Sequence, residues 1–86
     1  MLFRSMIKVL KFQATWCNPC KAMSSILENV VTDIPIEEVD IDEDRDLAQR
    51  YRVRGVPTLI MLEDGIEVKR QVGMMSKAQL DLWLSN

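Results

Sequence analysis

The stretch MIKVLKFQATWCNPCKAMSSILENVV, Met6 to Val31, decides the fold. Its opening, MIKVLKFQ, sets Ile7, Val9 and Lys11 on one side and Lys8, Leu10 and Phe12 on the other, and reads as a strand covered on both faces. The pattern breaks at Thr15 to Pro19. Cys17 or Asn18 can open a helix there, because Pro19 in a first turn gives up no helical hydrogen bond. From that point Cys20, Met23, Ile26 or Leu27, and Val30 or Val31 fall at helical spacing, an amphipathic helix of about three turns.

Downstream, Ile34 to Ile41, IPIEEVDI, returns to short apolar alternation through Ile36, Val39 and Ile41. Glu43 to Tyr51 carries Leu47, Ala48 and Tyr51 on one stripe, with its acids early, where a helix dipole favours them. Arg54 to Pro57 is a break and Thr58 to Leu62, TLIML, a nearly continuous apolar strand. Glu63-Asp64-Gly65 signals a hairpin turn. Ile66 to Val72 alternates as the second arm, which leaves one of its faces to solvent. After Gly73, Ser76 can cap a last helix with Leu80, Trp83 and Leu84 as its buried stripe.

The order is therefore β-α-β-α-β-β-α. Two strands joined by a helix pair in parallel and a hairpin pairs antiparallel, so an α/β fold with a mixed four-stranded sheet flanked by helices is expected. The 86 residues suffice for one domain, 1-86, and not for two. An apolar share of 48% and a charged share of 28% are those of a folded globular chain. A net charge of −2 offers no footprint for nucleic acid or an anionic membrane. No apolar run approaches the roughly 18 residues that span a bilayer. Arg4, Lys8 and Lys11 interrupt the N-terminal apolar residues, which argues against a secretory signal and for a cytoplasmic protein.

Both cysteines of the chain, Cys17 and Cys20, lie at the turn from the first strand to the first helix. The chain has no histidine, and two cysteines from one chain cannot supply the usual three or four ligands of a zinc site, which leaves only a metal shared between two chains. As a structural disulfide the pair would close a tiny loop and remove little unfolded-state entropy. At a helix cap, unpaired N–H groups and the positive end of the dipole stabilise a thiolate, and the thiolate is the species that attacks a disulfide. Cys17 is then the candidate nucleophile and Cys20, one turn later, the resolving thiol. The alternative is a pair of small, buried core cysteines. Trp16, just before the cap, either offers a flat contact to a protein substrate or packs on the neighbouring helix.

Trp16 to Lys21, WCNPCK, resembles the W-C-G-P-C-K of thioredoxins, with Asn18 in place of glycine. VRGVPTL at Val53 to Leu59 and the run from Val72-Gly73 through SKAQL at Ser76 to Leu80 are similar to two further segments of that family, in the same order. The resemblance implies a thioredoxin-like fold and a redox-active Cys17/Cys20 disulfide with no bound cofactor. It also implies reducing equivalents from an NADPH-dependent flavoprotein reductase. It implies a cis Val56-Pro57 bond beside the disulfide, where base rates alone favour trans. A substrate-binding rim of Trp16, Val56, Pro57, Gly73 and Met74 follows from the same likeness.

Three departures stand out. The strand and helix that usually open a thioredoxin are absent from this sequence, which makes the strand at 36-41 an edge, with Glu37, Glu38, Asp40 and Asp42 to protect it. A monomer is expected, with pairing through that edge the lesser alternative. Ser25 stands where many thioredoxins have a helix-kinking proline. Finally, Lys11 occupies the place of the family's buried aspartate and Glu38 that of its accompanying lysine. These two residues, with Pro19 between the cysteines, are the expected tuners of the thiols. Lys11 and Glu38 either form an ion pair behind Cys20, or Lys11 reaches solvent and Glu38 only guards the edge.

Two functions remain in view. The first is a protein-disulfide reductase with disulfide-containing proteins and a thioredoxin reductase as partners; a glutaredoxin-like donor is its nearest variant, disfavoured by WCNPC and the lack of a Gly-Gly loop near Gly73. The second is a thioredoxin-fold binding subunit that uses the same rim with dispensable thiols.

Overall fold

The computed structural model describes residues 5–85, and within them the first strand, β1 (Ile7–Gln13), supplies the centre of the sheet. It is followed by α1 (Asn18–Leu27), β2 (Ile36–Asp40), α2 (Arg45–Arg50), β3 (Thr58–Glu63), β4 (Ile66–Val72) and α3 (Lys77–Ser85). The strand order is β2-β1-β3-β4, with β1 parallel to β2 and antiparallel to β3, and β3 antiparallel to β4. The expected α/β architecture is the one observed.

Alternation along β1 sorts the core into two layers. Val9 faces a cluster with Met23 of α1, Leu59 and Met61 of β3, Met75, and Leu80 and Leu84 of α3. Leu10 and Phe12 face the other side, with Val39, Ile60, Leu62 and Ala48 of α2. Burying one such side chain is worth about 1.5–3 kcal/mol, so each central strand stabilises both layers. Lys11 is the exception on this strand, a charge on the α1 side of the sheet.

Several boundaries differ from the sequence pattern for local reasons. The α1 helix ends at Leu27, not at Val31, because the Asn29 side-chain amide donates to the Ser25 carbonyl at 3.2 Å and takes over an acceptor of the last turn. Val30 still packs on the core from the following turn, while Val31 is 99% exposed. The α2 helix starts at Arg45 because the Asp44 carboxylate accepts from the Leu47 N–H and caps it. Ser76 and Gln79 form a reciprocal box at the start of α3, the Ser76 hydroxyl accepting from Gln79 N–H at 3.2 Å and the Gln79 side chain accepting from Ser76 N–H at 2.8 Å.

The β3-β4 hairpin turns through Asp64 and Gly65, both with positive φ (53° and 84°), a backbone shape whose second position suits glycine. No residue of β4 is buried, and Ile66, Val68 and Val72 are exposed, so the strand has two partly wet faces and not one. Its position at the sheet edge and a register shift beside Met61/Leu62 account for this.

Candidate active site

The N-terminus of α1 is built around sulfur. Cys17 is the N-cap, with extended φ −93° and ψ 105°, and its Sγ accepts from the Cys20 N–H at 3.2 Å. Pro19 sits in the first turn, exposed, where its missing N–H leaves no acceptor unmatched. A hydrogen bond from Cys17 N–H to the Ala14 carbonyl at 3.1 Å closes the turn between β1 and α1. The two cysteines are joined as a disulfide, with Cα atoms 5.3 Å apart, and are 4% and 2% exposed.

Around the disulfide, Ala14 completes a small buried cluster against which Ile41 and Val56 pack. The Val56-Pro57 bond is cis and Pro57 is fully buried. Gly73, with φ 94°, donates its N–H to the Pro57 carbonyl at 2.8 Å, which fixes the loop after β4 to the loop before β3. Beyond its own chain neighbours, no described atom stands within 4 Å of where a Cβ on Gly73 would lie, so its outer side is open to an approaching backbone. Met74 next to it is exposed, whereas Met75 turns into the core. Trp16 is 65% exposed, and its indole Nε1–H donates to Asp42 Oδ2 at 2.9 Å.

Behind Cys20 lies Lys11, which is fully buried. Its ammonium donates to the Cys20 carbonyl at 3.1 Å, to Gln13 Oε1 and to Ser24 Oγ. Glu38 Oε2 is 3.5 Å away and also accepts from the Ser24 hydroxyl at 3.2 Å. Burial pushes the Lys11 amine below its ordinary range, and the charge of Glu38 and the hydrogen bond with it act in the opposite direction. Lys11 therefore does not reach solvent, and Glu38, over half exposed on the edge strand, is its counter-ion.

A sequence model of the family Thioredoxin matches residues 3–86. The chain belongs to the thioredoxin family. Thioredoxin of Mycobacterium tuberculosis (strain H37Rv) is 40% identical over 76 residues, which are 84% of this chain and 66% of that protein, so the chain spans about two thirds of this relative's length. Thioredoxin of Chlamydia pneumoniae is 42% identical over 72 residues, 80% of this chain and 71% of the relative. Among solved structures, a mutant thioredoxin from Halobacterium salinarum superposes with a TM-score of 0.87 at 34% identity, over 93% of this chain and 73% of the other.

Within this thioredoxin fold, the β1-α1 turn holds Trp16, Cys17, Pro19 and Cys20, and the loops before β3 and after β4 hold Val56, Pro57, Gly73 and Met74. Three residues of the site escape a reading of the sequence. Asp42 reads there as an edge-protecting acid, yet it holds Trp16. Ile41 reads as the end of a strand, yet it packs against the cysteines. Ser24 carries no signal beyond its spacing from Cys20, i and i+4 on one helix, which puts it beside the buried amine. Among the described residues no cluster of His, Cys, Asp and Glu could hold a metal ion, and no helix is long and apolar enough to cross a membrane.

Proposed function

We propose that this thioredoxin-family chain reduces disulfides of protein substrates by dithiol exchange. The observation that carries the reading is the Cys17–Cys20 disulfide at the N-cap of α1, with the Cys20 N–H directed at Cys17 Sγ. Once reduced, Cys17 meets that N–H and the positive end of a ten-residue helix, both of which favour its thiolate. Cys17 attacks the substrate and Cys20 resolves the mixed disulfide. The rim of Trp16, Val56, Pro57, Gly73 and Met74 receives an extended substrate segment, with backbone pairing at Val56. Regeneration falls to an NADPH-dependent flavoprotein reductase, and the protein acts as a cytoplasmic monomer organised as a single domain.

Reduction of insulin with dithiothreitol as the electron source tests this. Wild type accelerates precipitation and Cys17→Ser abolishes the acceleration; a wild type that does not accelerate it defeats the proposal. Partner binding that Cys17→Ser retains in full, beside a wild type without turnover, would instead favour the binding-subunit reading. Turnover with glutathione compared with thioredoxin reductase separates the glutaredoxin-like variant.

A further inference from the structure

Lys11 is the only charged residue with no solvent exposure among the described residues, and its ammonium donates to the backbone carbonyl of Cys20 at 3.1 Å. An ammonium has three protons and no lone pair. Here the three are directed at the Cys20 carbonyl and at Gln13 Oε1 and Ser24 Oγ, while the Ser24 hydroxyl turns its own proton to Glu38. The three contacts match the three protons of the charged form, and Glu38 supplies its counter-charge. The charged groups around it are Glu38 on β2, Glu28 on the cleft that Lys11 shares with Ser24, and Lys21, which lines the cavity beside Cys20. Its cross-strand neighbour on β3, Leu59, is apolar.

We propose that Lys11 is a fixed positive charge that stabilises the Cys20 thiolate and makes the Cys17–Cys20 disulfide a stronger oxidant, with Gln13, Ser24 and Glu38 holding the ammonium in place. The inference rests on the dithiol chemistry above. In that chemistry the Cys17 thiolate attacks a substrate sulfur, the substrate S–S bond breaks, and the first substrate thiolate leaves and takes a proton from water. Cys20 then gives its proton to water in a cavity of about 420 Å³ lined by Gln13, Ala14, Thr15, Cys20, Lys21 and Ser24. The Cys20 thiolate attacks Cys17 Sγ, the Cys17–Cys20 bond forms, and the second substrate thiolate is expelled. The substrate gains two electrons and the dithiol loses two. Lys11 already holds its full complement of protons and cannot accept the one from Cys20. Its part is electrostatic, which makes it a positioning residue and not a base.

The test is the equilibrium of the dithiol with oxidised glutathione from pH 7 upward, below the range in which the Lys11 amine loses its proton, in wild type, Lys11→Met and Lys11→Gln. A nearby unit charge at intermediate dielectric is worth about tenfold in an ionisation constant. Both neutral variants should therefore form the disulfide with an equilibrium constant raised about tenfold in the pH range where Cys20 ionises. In a Cys17→Ser background, alkylation of Cys20 should move to higher pH by about one unit when Lys11 is neutralised. A residue that only shapes the fold would move neither readout. Neutral variants that reduce insulin yet stay within twofold of wild type in both overturn the inference. A wild type without dithiol activity defeats the proposed function itself, which separates the two failures.

Discussion

The indole Nε1–H of Trp16 donates to the carboxylate of Asp42 at 2.9 Å, a bond between the β1-α1 turn and the chain just beyond β2. Asp42 is in turn held by its own backbone N–H donating to Asp40 Oδ1 at 2.8 Å. The bond fixes an exposed ring next to Cys17 at the rim proposed to receive substrate. Asp42→Ala should raise KM for protein disulfides several-fold and change kcat little. Stability should fall by no more than about 1 kcal/mol, since the bond is solvent-exposed. Steady-state kinetics with insulin and a thermal melt check both, and an unchanged KM would remove Trp16 orientation from the account.

Lys11 also gives the disulfide form a distinctive pH dependence. Its amine is held below the ordinary 10.5, so between the lowered value and 10.5 the unfolded chain binds more protons than the native one. Stability contributed by this group therefore rises with pH across that window, and the cost of the buried charge is present in full below it. Lys11→Met should be at least as stable as wild type at pH 7, because Glu38 stays hydrated when its partner is lost. The difference should shrink as pH approaches 10.5. Urea melts of the oxidised proteins from pH 7 to 10.5 measure it, and a gap that widens with pH contradicts the assignment.

Most of the fold was legible because its signals are local. Alternation in MIKVLKFQ and TLIML, Pro19 after a candidate cap, and Asp64-Gly65 at a turn each specify an element without knowledge of its neighbours. The cysteine pair was legible for the same reason. What composition and periodicity do not disclose is which side chain meets which across the sheet. Apolar alternation alone would assign position 11 of β1 to the core, yet the residue there is a lysine whose charge is met by atoms from β1, α1 and β2. That neutralisation depends on the parallel pairing that sets Lys11 opposite Glu38. The exposed state of β4 was hidden too, because its alternation does not reveal that the strand lies at an edge with little packed on either face.

Arg70 ties this thinly covered edge to the rest of the molecule. Its guanidinium grips Glu67 through Nε at 2.6 Å and a terminal nitrogen at 2.7 Å, and a terminal nitrogen reaches the Tyr51 carbonyl at the end of α2 at 2.7 Å. The hydrogen bond to Arg70 holds the Glu67 carboxyl below its usual range. Stability from this group is thus present above pH 4.5 and lost as pH falls through the lowered value. Arg70→Lys keeps the charge but cannot reproduce the fork or reach all three acceptors. A loss of about 0.5–1 kcal/mol at pH 7, smaller at pH 3, is expected from denaturant melts, since both side chains are about a third exposed.

The C-terminal helix offers a graded test of how the layer over the active-site face is held. Ser76 and Gln79 satisfy two N–H groups at the start of α3, one turn before Leu80 inserts between β1, β3 and α1. Removing the cap with Ser76→Ala should cost about 1 kcal/mol. Leu80→Ala leaves a cavity where Val9, Met23 and Leu59 converge and should cost about 2–5 kcal/mol. Because Met75 and Met23 pack in the same cluster, the larger change should also loosen the Gly73-Met74 loop and the α1 helix that carries the cysteines. Hydrogen exchange read at Gly73, whose N–H bonds to the Pro57 carbonyl, should accelerate more in Leu80→Ala than in Ser76→Ala. Equal protection in the two variants would mean that α3 stabilises the fold without bracing the active-site loops.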